Sequence, residues 1–219
     1  MAAAKLYFGG DVGGTSEKLG VRFAECSAEP QNFVVIPTGG VDVPLFIERT
    51  IVGTEQLVCS VGAAPGDIAA FALLIPGQID FRKRRIISVP NLPGSGWCGC
   101  PIADELHDAF EQRLHVSVPV VLYHDARGAG IGEACQGAAK GANVVAGITT
   151  GAGIGGFVVW FDGSLMHVFD GAHQLGTEFG HMKIPGLPGR PKPHRCGCGQ
   201  EGCWETYAGA NGIMHFAQT

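Results

Sequence analysis

The order of apolar runs along this chain predicts an α/β protein made of two related lobes. Three observations carry that expectation. A strand, a glycine-rich turn and a second strand occur around Gly13-Gly14-Thr15, and the pattern returns around Thr149–Gly156. Between the two lie runs whose apolar residues recur at helical spacing, each followed by a short, continuous apolar run. Apolar residues make up 46% of the 219 positions and charged residues 16%, so one large domain or two small ones can bury a core.

Taken in order, Leu6-Tyr7-Phe8 and Leu19-Gly20-Val21 read as the arms of a hairpin, and Phe33 to Pro37 as a third strand. Residues 43 to 61 place Phe46, Ile47, Ile51 and Leu57 on one helical face. Phe71 to Ile75 reads as a buried strand ending at Pro76-Gly77. Ile102, Leu106, Phe110 and Leu114 mark an amphipathic helix behind Pro101. Val118 to Tyr123 reads as a strand and Ala126 to Gln136 as the helix after it. Val144 to Thr150 and Phe157 to Phe161 flank the second glycine-rich turn. The lobe boundary is expected near residue 117, giving lobes 1–117 and 118–219, with the two hairpins as equivalent turns of a duplicated fold.

The formal net charge is -5, and no Lys/Arg stripe is present. The densest basic stretch, Arg82-Lys83-Arg84-Arg85, reads as a solvated turn between apolar segments, so nucleic acid is not an expected partner. Met1 to Lys5 carries no signal sequence, and no run is long enough to span a bilayer. A cytoplasmic, reducing setting with no membrane partner is therefore expected. Eight cysteines in such a setting are not expected to form disulfides. Cys26, Cys59 and Cys135 read as small core residues, Cys98 and Cys100 as a pair in a glycine-rich loop, and Cys196, Cys198 and Cys203 as chemical.

Asp11-Val12-Gly13-Gly14-Thr15 follows a strand directly, so its glycines let backbone N–H groups approach phosphate oxygens. The bland reading is a simple hairpin turn. Thr149 to Gly156 repeats the logic of hydroxyls followed by glycines, and lacks the Gly-Lys-Ser/Thr of a P-loop. A strand follows it, which excludes a dinucleotide fingerprint. Asp125, at the end of Val118 to Tyr123, reads first as a helix N-cap on local sequence, a role that can coexist with that of general base for an attacking hydroxyl. His181 with Cys196, Cys198 and Cys203 supplies three thiolates and an imidazole, a closed tetrahedral shell for structural zinc. His194 is the rival fourth ligand.

These segments together resemble the ROK family of sugar kinases, within the actin/hexokinase/Hsp70-like superfamily. The matching pieces are Asp11 to Thr15, Ile75-Pro76-Gly77, Pro90 to Gly94, His124-Asp125-Ala126, Thr149 to Gly156, Glu178 to His181 and Cys196 to Glu205. The Glu-x-Gly-His and Cys-x-Cys-x4-Cys-x-Glu combination is the most specific. The resemblance implies a two-lobed actin-like ATPase (ribonuclease H-like) fold whose second lobe is incomplete here. It implies an ATP-dependent, glucokinase-like hexose kinase with Mg²⁺ accompanying ATP and Asp11 as its protein contact. Asp125 would take the proton from the sugar 6-hydroxyl. Glu178, His181 and Glu205 would bind the other hydroxyls, with Gly77, Asn91 and His124 completing the sugar site and His181 touching metal and sugar alike. Asp11, Gly13, Gly14 and Thr15, with Thr149, Thr150, Gly151 and Gly153, would hold the phosphates. Glucose is the expected hexose, and a second copy of the chain is the candidate protein partner, since dimers are common in similar proteins.

Three departures from the family pattern stand out. His124 occupies the usual Asn position, Pro185 to Pro193 reads as an insertion, and the chain stops at Thr219 where family members continue. The last departure predicts exposed apolar surface and low stability, and it leaves a catalytically weak sugar-binding or regulatory protein as the alternative reading. ROK repressors place a helix-turn-helix ahead of the first hairpin; with ten residues before Asp11, DNA binding is not expected here. The sequence leaves open the choice of hexose and of ATP or polyphosphate as donor.

Overall fold

The structure is a computed structural model and describes residues 5–24, 32–92, 94–186 and 192–218. Cys26, Pro93 and residues 187–191 of the Pro-rich stretch lie outside the described residues. Packing divides the chain into two units, Met1–Asp125 and Ala126–Thr219.

In the first unit, β1 (Leu6–Val12), β2 (Ser16–Phe23) and β3 (Asn32–Pro37) form an antiparallel meander. Helix α1 (Val43–Ser60) follows, and Asp42 caps it by accepting from the Leu45 N–H at 3.1 Å. Then come β4 (Ile68–Ile75), the short hairpin β5 (Gln78–Asp80) and β6 (Arg85–Ser88), α2 (Ile102–Leu114) and β7 (Val120–His124). The sheet order is β3-β2-β1-β4-β7, with β4 parallel to both β1 and β7. Alternation along the strands sends Leu6, Phe8, Leu19, Val21, Phe71 and Leu73 into the core. The helices answer with Phe46, Ile51 and Leu57 from α1 and Ile102, Leu106 and Phe110 from α2. Phe71 sits at the centre, its ring centroid 6.2 Å from Phe8 and 5.5 Å from Phe110. The basic run 82–85 is exposed at the β5–β6 turn, as expected.

β7 pairs with β4 from Phe71↔Val120 to Ile75↔His124, which makes it the last strand of the first sheet. The division therefore falls after Asp125 rather than near 117. The apolar run 118–123 is indistinguishable, by itself, from an opening strand of the next lobe.

In the second unit, α3 (Asp125–Cys135) leads to β8 (Val144–Thr150), β9 (Ile154–Asp162) and β10 (Leu165–Val168). These strands form an antiparallel meander of order β10-β9-β8, repeating the β3-β2-β1 order with a glycine-rich first turn. Phe157 fills the small core with Ala134, Val145 and Val159. Its ring lies where a Cβ on Gly130 of α3 or Gly147 of β8 would collide with it, so both glycines allow helix and sheet to approach. Among the described residues β8 is an edge strand, with Val144 66% and Ile148 49% exposed. Two short helices, α4 (Glu205–Ala208) and α5 (Ala210–Gln218), close the described chain. Among the described residues no helix is long and apolar enough to cross a membrane. Cys59 and Cys135 are exposed, not the core residues their isolation suggested.

Candidate functional site

The parallel strands β1, β4 and β7 end on the same side of the first sheet, because Asp11 is in register with Leu74 and Ile75 with His124. Ligand-binding residues of such sheets gather at these carboxyl ends. Here they bring Asp11, Gly77, His124 and Asp125 to one edge. Asp11 keeps surface in water, yet partial desolvation and then the neighbouring Asp125 charge raise its pKa, with Lys18 opposing. The two carboxylates are thus close enough to repel, a donor set that suits a hydrated divalent cation. His124 is buried, and its Nδ1 stands 3.1 Å from Asp125 Oδ1.

The first turn is braced from below. Gly13 donates to Ser16 O at 2.8 Å and accepts from Thr38 Oγ1 at 2.6 Å. A Cβ on Gly14 would sit 2.6 Å from Asn91 O, so only glycine lets this turn lie against the Asn91 backbone. Thr15 is exposed beside it. Gly77 has φ +99, and a Cβ there would collide with Ser88 O. That close approach holds the β5–β6 hairpin, and the 89–92 segment after it, beside the end of β4.

The second turn runs Thr149, Thr150, Gly151, Ala152 and Gly153 into β9, which begins at Ile154 rather than at Phe157. Gly151 N–H bonds Gly153 O at 2.9 Å, and Ala210 N–H bonds Gly151 O at 2.9 Å, tying the turn to the start of α5. Glu205 meets it from the other side: Oε2 accepts from Ile154 N–H at 3.4 Å and lies 2.5 Å from where a Gly153 Cβ would be.

Glu205 also faces the cysteine loop. Its Oε1 is 2.8 Å from Cys196 Sγ and 3.6 Å from His181 Nδ1. The ligand atoms of His181, Cys196, Cys198 and Cys203 lie within 4.8 Å of one another. A tetrahedral zinc with the usual bond lengths sets sulfur–sulfur edges of about 3.8 Å and sulfur–nitrogen edges of about 3.6 Å. The observed Cys198–Cys203 separation is 3.6 Å and Cys196 Sγ–His181 Nδ1 is 3.5 Å, so the residues fit the ion. His194 packs edge-on to His215 at 5.7 Å instead and is outside the cluster. At Cys198 burial raises the pKa, but the Gln200 N–H, the adjacent thiols and Lys183 more than offset it. Burial and then Glu205 push Cys196 up. Lys183 Nζ, 3.3 Å from Cys203 Sγ, balances thiolate charge. The second imidazole nitrogen of His181 points to Glu178 Oε2 at 4.0 Å, so one ring spans the cluster and a carboxylate.

Two residues escaped the sequence reading. Arg127 on α3 is 1% exposed and bonds the 170–178 loop; a lone arginine in an amphipathic pattern gives no sign of burial. Glu17 on β2 is fully buried, accepts from Thr50 Oγ1 at 2.7 Å, and leaves Oε1 without a hydrogen-bond partner among the described residues. Burial first, opposed by the Thr50 bond and helped by Asp11, raises its pKa to about 7. Its sign was legible, since Glu17 alternates in phase with Leu19 and Val21.

Comparison with known proteins follows the same residues. The ROK family profile matches residues 7–219. The glucokinase of Halalkalibacterium halodurans is 31% identical over 214 residues, covering 97% of this chain and 59% of that protein. The xylose repressor of Bacillus spizizenii is 32% identical over 158 residues, covering 71% of this chain and 36% of the repressor. The crystal structure of a ROK family glucokinase from Streptomyces griseus in complex with glucose and AMPPNP aligns with a TM-score of 0.75 at 28% identity, covering 97% of this chain and 60% of that one. This chain therefore spans less than two thirds of either glucokinase. Its architecture is the two-lobed actin-like ATPase fold with an incomplete second lobe. From the first glycine-rich hairpin to the cysteine loop, the chain belongs to the ROK family.

Proposed function

We propose that this chain carries the sugar and phosphate sites of an ATP-dependent hexose kinase, glucokinase-like, acting on the 6-hydroxyl. The observation that carries the reading is the convergence of Glu178, His181 and Glu205 beside a three-cysteine cluster. Two carboxylates and an imidazole form an acceptor-rich surface suited to vicinal hydroxyls, held by a loop that the cysteines fix. Gly77 and Asn91 would contribute the backbone and amide groups that complete the sugar site. The similar Streptomyces griseus glucokinase, described with glucose and AMPPNP, supports the same substrate pair.

In this reading Asp125 accepts the proton of the attacking 6-hydroxyl as the oxygen approaches the γ-phosphorus of ATP. His124, whose Nδ1 stands 3.1 Å from the Asp125 carboxylate, would border the sugar beside it. The turns at Gly13–Thr15 and Thr149–Gly153 offer N–H groups and hydroxyls to the phosphates, so transfer depends on positioning and charge neutralisation. Asp11 would hold Mg²⁺, which supplies that neutralisation when ATP is bound. His181, Cys196, Cys198 and Cys203 would hold zinc, which supplies a rigid loop rather than chemistry. Glu205 links that loop to the second turn, and Glu178 accepts from sugar hydroxyls.

The xylose repressor similarity supports a second reading, a sugar-binding regulator on the same scaffold. Hexose-dependent ADP release across a sugar panel, run beside Asp125→Asn, separates the two. The kinase reading requires turnover that falls at least ~100-fold in the variant while sugar binding persists. Sugar binding without turnover supports the regulator, and full activity in Asp125→Asn rejects the base.

A further inference from the structure

Among the described residues Arg127 is the largest fully buried side chain. A guanidinium cannot shed its charge, and its five N–H donors must all find acceptors when water is excluded. Four of its hydrogen bonds go to one segment. Nη2 donates to Gln174 O at 2.7 Å and to Gly176 O at 2.6 Å. Nε reaches Thr177 Oγ1 and Nη1 reaches Asp170 Oδ1, each at 3.5 Å. Glu178 Oε1 stands 3.7 Å from Nη2.

That segment is strained. Gln174 and Thr177 both have φ 63, a left-handed conformation that costs a non-glycine residue roughly 1–2 kcal/mol. Gly171 and Gly176 meet backbone on backbone, with a Gly171 Cβ position 2.6 Å from Gly176 Cα. Such a loop persists only where its surroundings over-determine it. The two carbonyls that Arg127 clasps belong to Gln174, itself left-handed, and to Gly176, next to left-handed Thr177. Glu178 and the tight turn Phe179–His181 come immediately afterwards.

We propose that Arg127 is a positioning residue of the hexose subsite, setting the Glu178 carboxylate through the 170–177 loop and so setting affinity for the sugar. This rests on the reading of Glu178 as a hydroxyl acceptor. Lysine in its place keeps the charge but loses the planar fork that spans two carbonyls while reaching Thr177. A displacement of about 1 Å at Glu178 suffices to weaken the sugar contacts.

The test is calorimetric titration of glucose into the zinc-loaded 219-residue chain, wild type and Arg127→Lys, each with Glu178 intact and in a Glu178→Gln background. Arg127→Lys is expected to raise the glucose Kd about 10-fold with Glu178 intact and less than about 3-fold in the Glu178→Gln background, because the two residues act as one unit. A merely structural arginine gives equal losses in both backgrounds, and that result overturns the proposal. Should Arg127→Lys not fold, Asp170→Asn, on the exposed flank of the same guanidinium, reads the same coupling. It is expected to weaken binding about 3-fold with Glu178 intact and not in the Glu178→Gln background, and equal binding by Asp170→Asn and wild type overturns the proposal. A wild-type chain that binds no hexose overturns the hexose reading and this proposal together. Wild-type binding left unchanged by Arg127→Lys overturns this proposal alone.

Discussion

Replacing Glu17 by glutamine tests whether an ionisable group was built into the sheet core at a cost. Glu17 lies under β2 against α1, with one oxygen bonded to Thr50 and the other unpartnered among the described residues. Burial raises its folded pKa from 4.5 to about 7. The folded state therefore holds this proton over a pH range where the unfolded chain has released it. Its contribution to stability is fully present below pH 4.5, declines as pH rises toward about 7, and is lost above that. The shift corresponds to about 3 kcal/mol at ~1.4 kcal/mol per unit. Glutamine occupies the same volume, keeps an acceptor for Thr50 and cannot ionise. The difference in stability between Glu17→Gln and wild type should thus grow in favour of the variant by about 3 kcal/mol between about pH 4.5 and about pH 8. In thermal melts that is on the order of 10 °C. Urea unfolding of both proteins across that range reads it directly, and titrating groups not coupled to Glu17 cancel in the difference. Parallel profiles for the two proteins would refute the argument, since they would mean that Glu17 is solvated or paired in the folded state.

Two further outcomes are expected. Cys198→Ser removes one of four donors and should drop bound zinc below one ion per chain, with hexose binding weakened at least ~10-fold; unchanged metal content by elemental analysis rejects the proposed shell. Gly77→Ala places a methyl against Ser88 O at a backbone of φ +99, and should destabilise the first unit by at least about 2 kcal/mol in urea unfolding. An alanine variant as stable as wild type would mean that the β5–β6 hairpin is free to shift.

Periodicity carried most of the fold. Phe46, Ile47, Ile51 and Leu57 are all buried on one face of α1, and Ile102, Leu106 and Phe110 on one face of α2. What it could not carry was pairing. Val118 to Tyr123 reads as a strand from its own residues, but its place in the first sheet depends on β4, a partner far back along the chain. β10 and the β5–β6 hairpin went unread because they are short and lack sustained alternation. At the site, the cysteine loop was legible because thiolates at that spacing have few other uses. Arg127 was not, because helical patterning treats arginine as a solvent-facing residue, and only the folded 170–178 loop supplies its acceptors.

The exposed rim of the second meander has a practical consequence. β8 satisfies its backbone on one side through β9, and Val144 and Ile148 give that strand an apolar surface in water. Among the described residues that side of β8 is unpaired, where the corresponding side of β1 takes β4, so the 219-residue chain by itself offers a template for strand addition whose behaviour scales with protein concentration. With a net charge of only -5 across 219 residues, colloidal repulsion is a weak brake on that growth. Ile148→Lys would install a gatekeeper there, raising the concentration at which the protein remains monodisperse.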